Sequence, residues 1–96
     1  MKVRIAQAAK IEKDEAKAFY ELQQKGLGNK FDIKVKETIQ RIIKNPLAWS
    51  DEIGQVKRCI VHKFPYKILY SIQDDVVVIL AIANMRRKPD YWIDRQ

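Results

Sequence analysis

The stretch VVVILAIANMRRKPDYW, Val76 to Trp92, joins two segments that need opposite surroundings. Val76 to Ala83 is continuously apolar, the pattern of a central strand covered on both faces. Arg86, Arg87 and Lys88 follow at once, then Pro89, Tyr91 and Trp92. A buried strand therefore releases a cationic and aromatic tail at one end of a sheet. Such a tail can be a phosphate-binding site, a partner-docking surface or an ordinary polar terminus.

Working back from that strand, Tyr66 to Gln73 and Val56 to Phe64 both alternate and read as strands. Asp74-Asp75 falls where a hairpin turn is needed, with positive φ expected at both residues. LAWSDEIGQ, residues 47–55, reads as a loop. Before it, Phe31, Val35, Ile39, Ile42 and Ile43 make one stripe of a helix whose Lys30, Lys34, Lys36, Glu37, Gln40, Arg41 and Lys44 face water. Asn45-Pro46 ends it, since proline disfavours helical geometry in the residue before it. An earlier helix is expected from Ile11 onward, with Ile11, Ala18, Phe19 and Leu22 on its packing face and Glu12, Lys13, Asp14, Lys17, Glu21 and Lys25 elsewhere. Gly26 suits a left-handed cap at its end, and Asn29 is placed to cap the next helix. VRIA at the start reads as a short edge strand. The order is a strand, a helix hairpin, three strands and a tail, and each helix must bury its stripe against the sheet: a two-layer α+β domain spanning 1–96.

With 96 residues there is room for one modest core. The net charge of +7 favours an anionic partner such as nucleic acid, an acidic protein or a membrane surface. The longest apolar run is too short to span a bilayer, and the early carboxylates do not fit a signal peptide, so a cytoplasmic protein with no membrane partner is expected. The single cysteine, Cys59, cannot close an intramolecular disulfide. One histidine and one cysteine without partner spacing do not make a zinc site, and the sequence carries neither a glycine-rich phosphate loop nor a serine nucleophile motif. No metal or cofactor is expected.

The chemistry that remains is cationic. Lys57, Arg58, His62, Lys63 and Lys67 decorate the alternating strands, and Arg86, Arg87 and Lys88 follow the last. Alternation puts Arg58, Ile60 and His62 on one face and Lys57, Cys59, Val61 and Lys63 on the other. Each residue also has a plain explanation. The cations can be a solvated face, His62 a surface residue, Cys59 a small buried hydrophobe, and Tyr91 and Trp92 a pin that fastens the tail instead of a stacking platform for bases. Trp49 has no assignable role.

The succession GLGNKF, IIKNP, VKRCIVHKFPYKILYSI and VVVILAIANMRRKPDYW resembles the RelE/ParE family of toxins from bacterial type II toxin–antitoxin modules. The resemblance covers nearly the whole chain. It implies two helices on a mixed, mostly antiparallel sheet and a cognate antitoxin as partner. Two activities are implied as alternatives: ParE-like poisoning of DNA gyrase, without hydrolysis, and RelE-like cleavage of mRNA on the ribosome. A third alternative is an inactive relative that only regulates through its antitoxin. For the RelE-like activity the resemblance carries over to Arg58, Lys67, Arg86 and Tyr91. However, Ile60 stands where a catalytic lysine is expected, Trp92 where a tyrosine is, and Asn84 where many relatives have histidine. For the ParE-like activity, Arg86, Arg87, Lys88 and Trp92 form the target-contact tail. The missing lysine favours the ParE-like branch.

Overall fold

The computed structural model describes residues 1–95. Its elements are β1 (Lys2–Ile5), α1 (Gln7–Gln23), α2 (Leu27–Lys44), β2 (Asp51–Ile53), β3 (Val56–Ile60), β4 (Tyr66–Gln73) and β5 (Val76–Asn84), followed by one turn of 3-10 helix at Ile93–Arg95. The strands form one sheet in the order β1-β5-β4-β3-β2, with β1 parallel to β5 and all other pairs antiparallel. This is the expected α+β fold with a mixed sheet.

The sheet separates two apolar clusters. On the helix side Phe31, Val35, Ile39 and Ile42 of α2 meet Ile68 and Tyr70 of β4 and Val77, Ile79 and Ile82 of β5. On the back, Val56, Leu69, Val78, Leu80, Ala81 and Ala83 surround Trp92. A register shift between Leu69 and Tyr70 of β4 leaves Leu80 as the extra residue of β5, so Leu80 and Ala81 both turn to the back. The strand is thus buried on both faces, as its apolar run requires. Asp74 and Asp75 have φ of 48° and 62°, the two left-handed residues that a tight hairpin between right-twisted strands needs.

Four local expectations are corrected. The packing face of α1 is not Ile11, Ala18, Phe19 and Leu22, all exposed, with Leu22 at 90%. Its buried residues are Ala9 and Ala16, because small side chains let the helix lie close to the sheet. Beside that face Lys13 and Lys17, with the exposed Lys36, pair with the buried Asp32 of α2 at 3.3, 3.8 and 3.1 Å. Burial pushes the Asp32 carboxyl up, but bonds to Lys36 and Lys13 outweigh it and hold its pKa below the ordinary value.

Asn29 is not the cap of α2. Gly26 takes that place with φ of 86°, and the Glu21 carboxylate of α1 accepts from the amides of Gly26 and Gly28 at 2.9 and 3.0 Å. Gly28 is required for the close approach of the helices, since a Cβ there would sit 2.4 Å from the Lys17 carbonyl oxygen. The segment 47–55 is not all loop: Asp51–Ile53 forms the edge strand β2. Finally, β3 ends at Ile60 and not at Phe64. Pro65 has no amide to continue a ladder, and the chain turns through Lys63 at φ of 71°, so His62 and Lys63 lie in an exposed turn.

Candidate functional site

β1 is too short to accompany β5 to its end. It pairs only as far as Ile79, where the Ala6 amide donates to the Ile79 carbonyl, and the chain then turns into α1. The last residues of β5 have no strand on that side, and their backbone groups need other partners. The C-terminal tail and α1 supply them. Arg95 donates to the Leu80 carbonyl at 3.2 Å, and Glu12 of α1 accepts from the Ile82 amide at 3.1 Å.

Glu12 is the centre of this arrangement. Its carboxylate also accepts from the Tyr91 hydroxyl and from Arg95 at 2.8 Å, and it lies 3.7 Å from Arg87. The side chain is 12% exposed, so these charge-assisted bonds form away from bulk water, where they are worth most. The Arg87 guanidinium stacks 3.7 Å from the Tyr91 ring centroid. Burial, then the bond to Glu12, pushes the Tyr91 pKa well above its ordinary value. A hydroxyl so held is a poor general base or acid near neutrality.

Asn84 sets the direction in which the tail leaves. Its side-chain oxygen accepts from the Arg86 amide at 2.9 Å, and its carbonyl accepts from the Arg87 amide at 3.1 Å. Trp92 closes the other end of the tail, 1% exposed within the back cluster. Between these fixed points Arg86, Arg87 and Lys88 are exposed, and Arg86 and Lys88 make no ion pair among the described residues. A cavity of about 450 Å³ opens beside them, with Glu15 and Phe19 of α1 on one wall and Tyr66, Asn84 and Arg86 on the other.

The remaining basic residues lie elsewhere. Arg58 is opposite Leu69 and Lys67 opposite Ile60 and Ala83, which places both cations on the back of the sheet. There Glu52 of β2 takes Lys67 at 2.6 Å and Arg58 at 3.5 Å. Arg58 also donates to the Asp51 carbonyl at 2.7 Å, and Lys57 pairs with Asp51 at 2.8 Å. The four residues that the nuclease reading needs are therefore divided. Arg58 and Lys67 share one carboxylate on the back, Tyr91 is bound to another on α1, and Arg86 lines the cavity on the helix side. Ile60, at the expected lysine position, is 49% exposed. Cys59 is buried, and burial pushes its thiol pKa up. Trp49 donates to the Arg41 carbonyl at 3.4 Å. Among the described residues no cluster of three or more His, Cys, Asp or Glu side chains could hold a metal ion, and no helix is long and apolar enough to cross a membrane.

Sequence reasoning singled out the tail as a candidate and did not single out Glu12 or Glu52. Glu12 is 70 residues or more from every partner in this arrangement, and the helical pattern around it pointed outward. Glu52 lies in a segment with no strand periodicity.

The family model described as ParE toxin of type II toxin-antitoxin system, parDE, matches residues 3–89. A search of curated proteins finds no match. A solved structure titled "Chromosomal ParDE TA system from P. aeruginosa" is similar in fold, with a TM-score of 0.68 at 15% identity over 90% of this chain and 97% of that one.

Proposed function

The chain belongs to the ParE toxin family of type II toxin–antitoxin systems, and from that premise we propose that it arrests growth by binding DNA gyrase through the tail from Arg86 to Lys88 and is neutralised by a cognate antitoxin. The observation that supports a binding toxin over a nuclease is the division of the ionisable groups. RNA cleavage needs a base, an acid and phosphate-binding cations around one scissile bond. Here Arg58 and Lys67 stand behind the sheet on Glu52, while the Tyr91 hydroxyl is committed to Glu12. Arg86 and Lys88 are exposed on a segment held by Asn84 at one end and the buried Trp92 at the other, a form suited to gripping an acidic surface. Trp92 contributes as the anchor of that segment and not as a contact, since reaching a target would take it out of the core.

The test combines purified protein, gyrase, ATP and supercoiled plasmid, and scores linear DNA after detergent and protease. Linear product that depends on the protein is expected. Its absence with active gyrase, together with codon-positioned mRNA breaks in arrested cells, would replace this reading with the ribosome-dependent nuclease. Intact plasmid, intact mRNA and normal growth would indicate an inactive regulator.

A further inference from the structure

We propose that Glu12 is the positioning residue of the target-contact tail: one carboxylate on α1 holds the exit of β5, the Tyr91 ring and the Arg95 turn in a single arrangement, and so fixes the shape in which Arg86 and Lys88 are presented. The proposal rests on the reading of the tail as the contact surface.

The geometry separates Glu12 from an ordinary surface acid. Its two oxygens serve groups from three separate segments of the chain: the Ile82 amide in β5, the Tyr91 hydroxyl in the tail, and the Arg95 guanidinium in the 3-10 turn. The tail crosses the β5 edge at the point where β1 has ended, so no strand hydrogen bonds hold it there. Trp92 fixes the tail in depth against the back of the sheet, but an indole among aliphatic side chains does not define direction. Direction comes from hydrogen bonds: those of Asn84 set it where the tail leaves β5, and farther along those at Tyr91 and Arg95 meet at Glu12. Arg87 is drawn to the same point, stacked on Tyr91 and 3.7 Å from the carboxylate, which leaves Arg86 and Lys88 as the outward cations. Glutamine at this position keeps the length and one acceptor but not the charge. Aspartate keeps the charge but is one methylene too short to reach both Tyr91 and Ile82.

The experiment compares wild type, Glu12→Gln, Glu12→Asp and Tyr91→Phe in four measurements: growth arrest on induction, gyrase-dependent linearisation, amide exchange at Ile82, and thermal melting. Loss of one charge-assisted bond opens the lock by at least about tenfold, so Ile82 exchange is expected to rise and the dose for half-maximal linearisation to increase by at least about that factor in both Glu12 variants. The first three measurements are made well below the melting temperature that the fourth gives for each variant. Because both partners act through one lock, Glu12→Gln combined with Tyr91→Phe is expected to be little worse than the weaker single variant, a non-additivity that general destabilisation would not give.

Full potency in folded Glu12→Gln, or unchanged Ile82 exchange, overturns the proposal. If wild type arrests growth without acting on gyrase, the gyrase reading fails, and Glu12 is then judged by growth arrest and Ile82 exchange. If wild type poisons gyrase and Glu12→Gln does so equally, the Glu12 proposal fails alone.

Discussion

Arg58 and Lys67 on the back of the sheet and Arg86 and Lys88 beyond its end carry the same charges in different circumstances. The first pair lies on regular strands and shares Glu52, so its charge is used within the fold. The second pair lies on a turn fixed by Asn84 at one end and Trp92 at the other, while the nearby carboxylate of Glu12 is taken by Tyr91, Arg95 and Arg87. A basic residue in a sequence is thus a candidate contact only after its carboxylates are known. The net charge of +7 therefore overstates what the back of the sheet offers an anion, since Arg58 and Lys67 are already paired there.

The comparison breaks most completely if the tail loses its anchor. Trp92→Ala leaves a cavity in the back cluster, which costs about 3–5 kcal/mol. At about 4–8 °C per kcal/mol for a domain of this size, melting followed by circular dichroism is expected to fall by more than about 12 °C. A smaller drop would mean that the tail is not part of the core.

The next effect is functional. Arg86→Ala removes an exposed contact and is expected to raise the dose for half-maximal growth arrest by about tenfold or more, the scale of an interface hot spot. It should leave melting within about 0.5 kcal/mol of wild type, because the side chain holds no part of the fold.

Alkaline pH probes the core between the two regions. Tyr70 is fully buried and donates to the Pro46 carbonyl at 2.5 Å, and burial pushes its pKa up to about 12. An unfolded tyrosine ionises near 10. Between those values the unfolded state has lost a proton that the native state keeps, so stability is full below about pH 10 and declines as pH rises toward about 12. Tyr91 acts in the same direction. Denaturant unfolding across that range is expected to show the decline, with a shallower slope in Tyr70→Phe.

The smallest change would make the back resemble the tail. Glu52→Gln removes the negative charge that Arg58 and Lys67 share and should move stability by under about 1 kcal/mol, since the pairs are partly exposed. Non-specific RNA binding should strengthen, with a salt slope steeper by about one to two phosphate contacts. An unchanged slope would mean that Glu52 does not mask these cations.

Much of the fold was legible because its signals were local. The apolar run of β5, the Asp74-Asp75 turn and the stripe of α2 each follow from residues close in sequence. The face of α1 was not, because periodicity weighs large apolar side chains, and here the packing positions are Ala9 and Ala16 while Ile11, Phe19 and Leu22 are left in solvent. β2 was missed because three residues, two of them acidic, carry no strand pattern. The resemblance pointed to the tail, but the lock that shapes it joins Glu12 to residues at the other end of the chain, and only the folded structure brings them together.

The most direct test of the account compares gyrase-dependent linearisation by three proteins side by side: wild type, Arg58→Ala with Lys67→Ala, and Arg86→Ala. The account predicts that the double variant stays within about twofold of wild type while Arg86→Ala loses about tenfold or more. Full potency in Arg86→Ala with loss in the double variant would place the contact on the back of the sheet and contradict it.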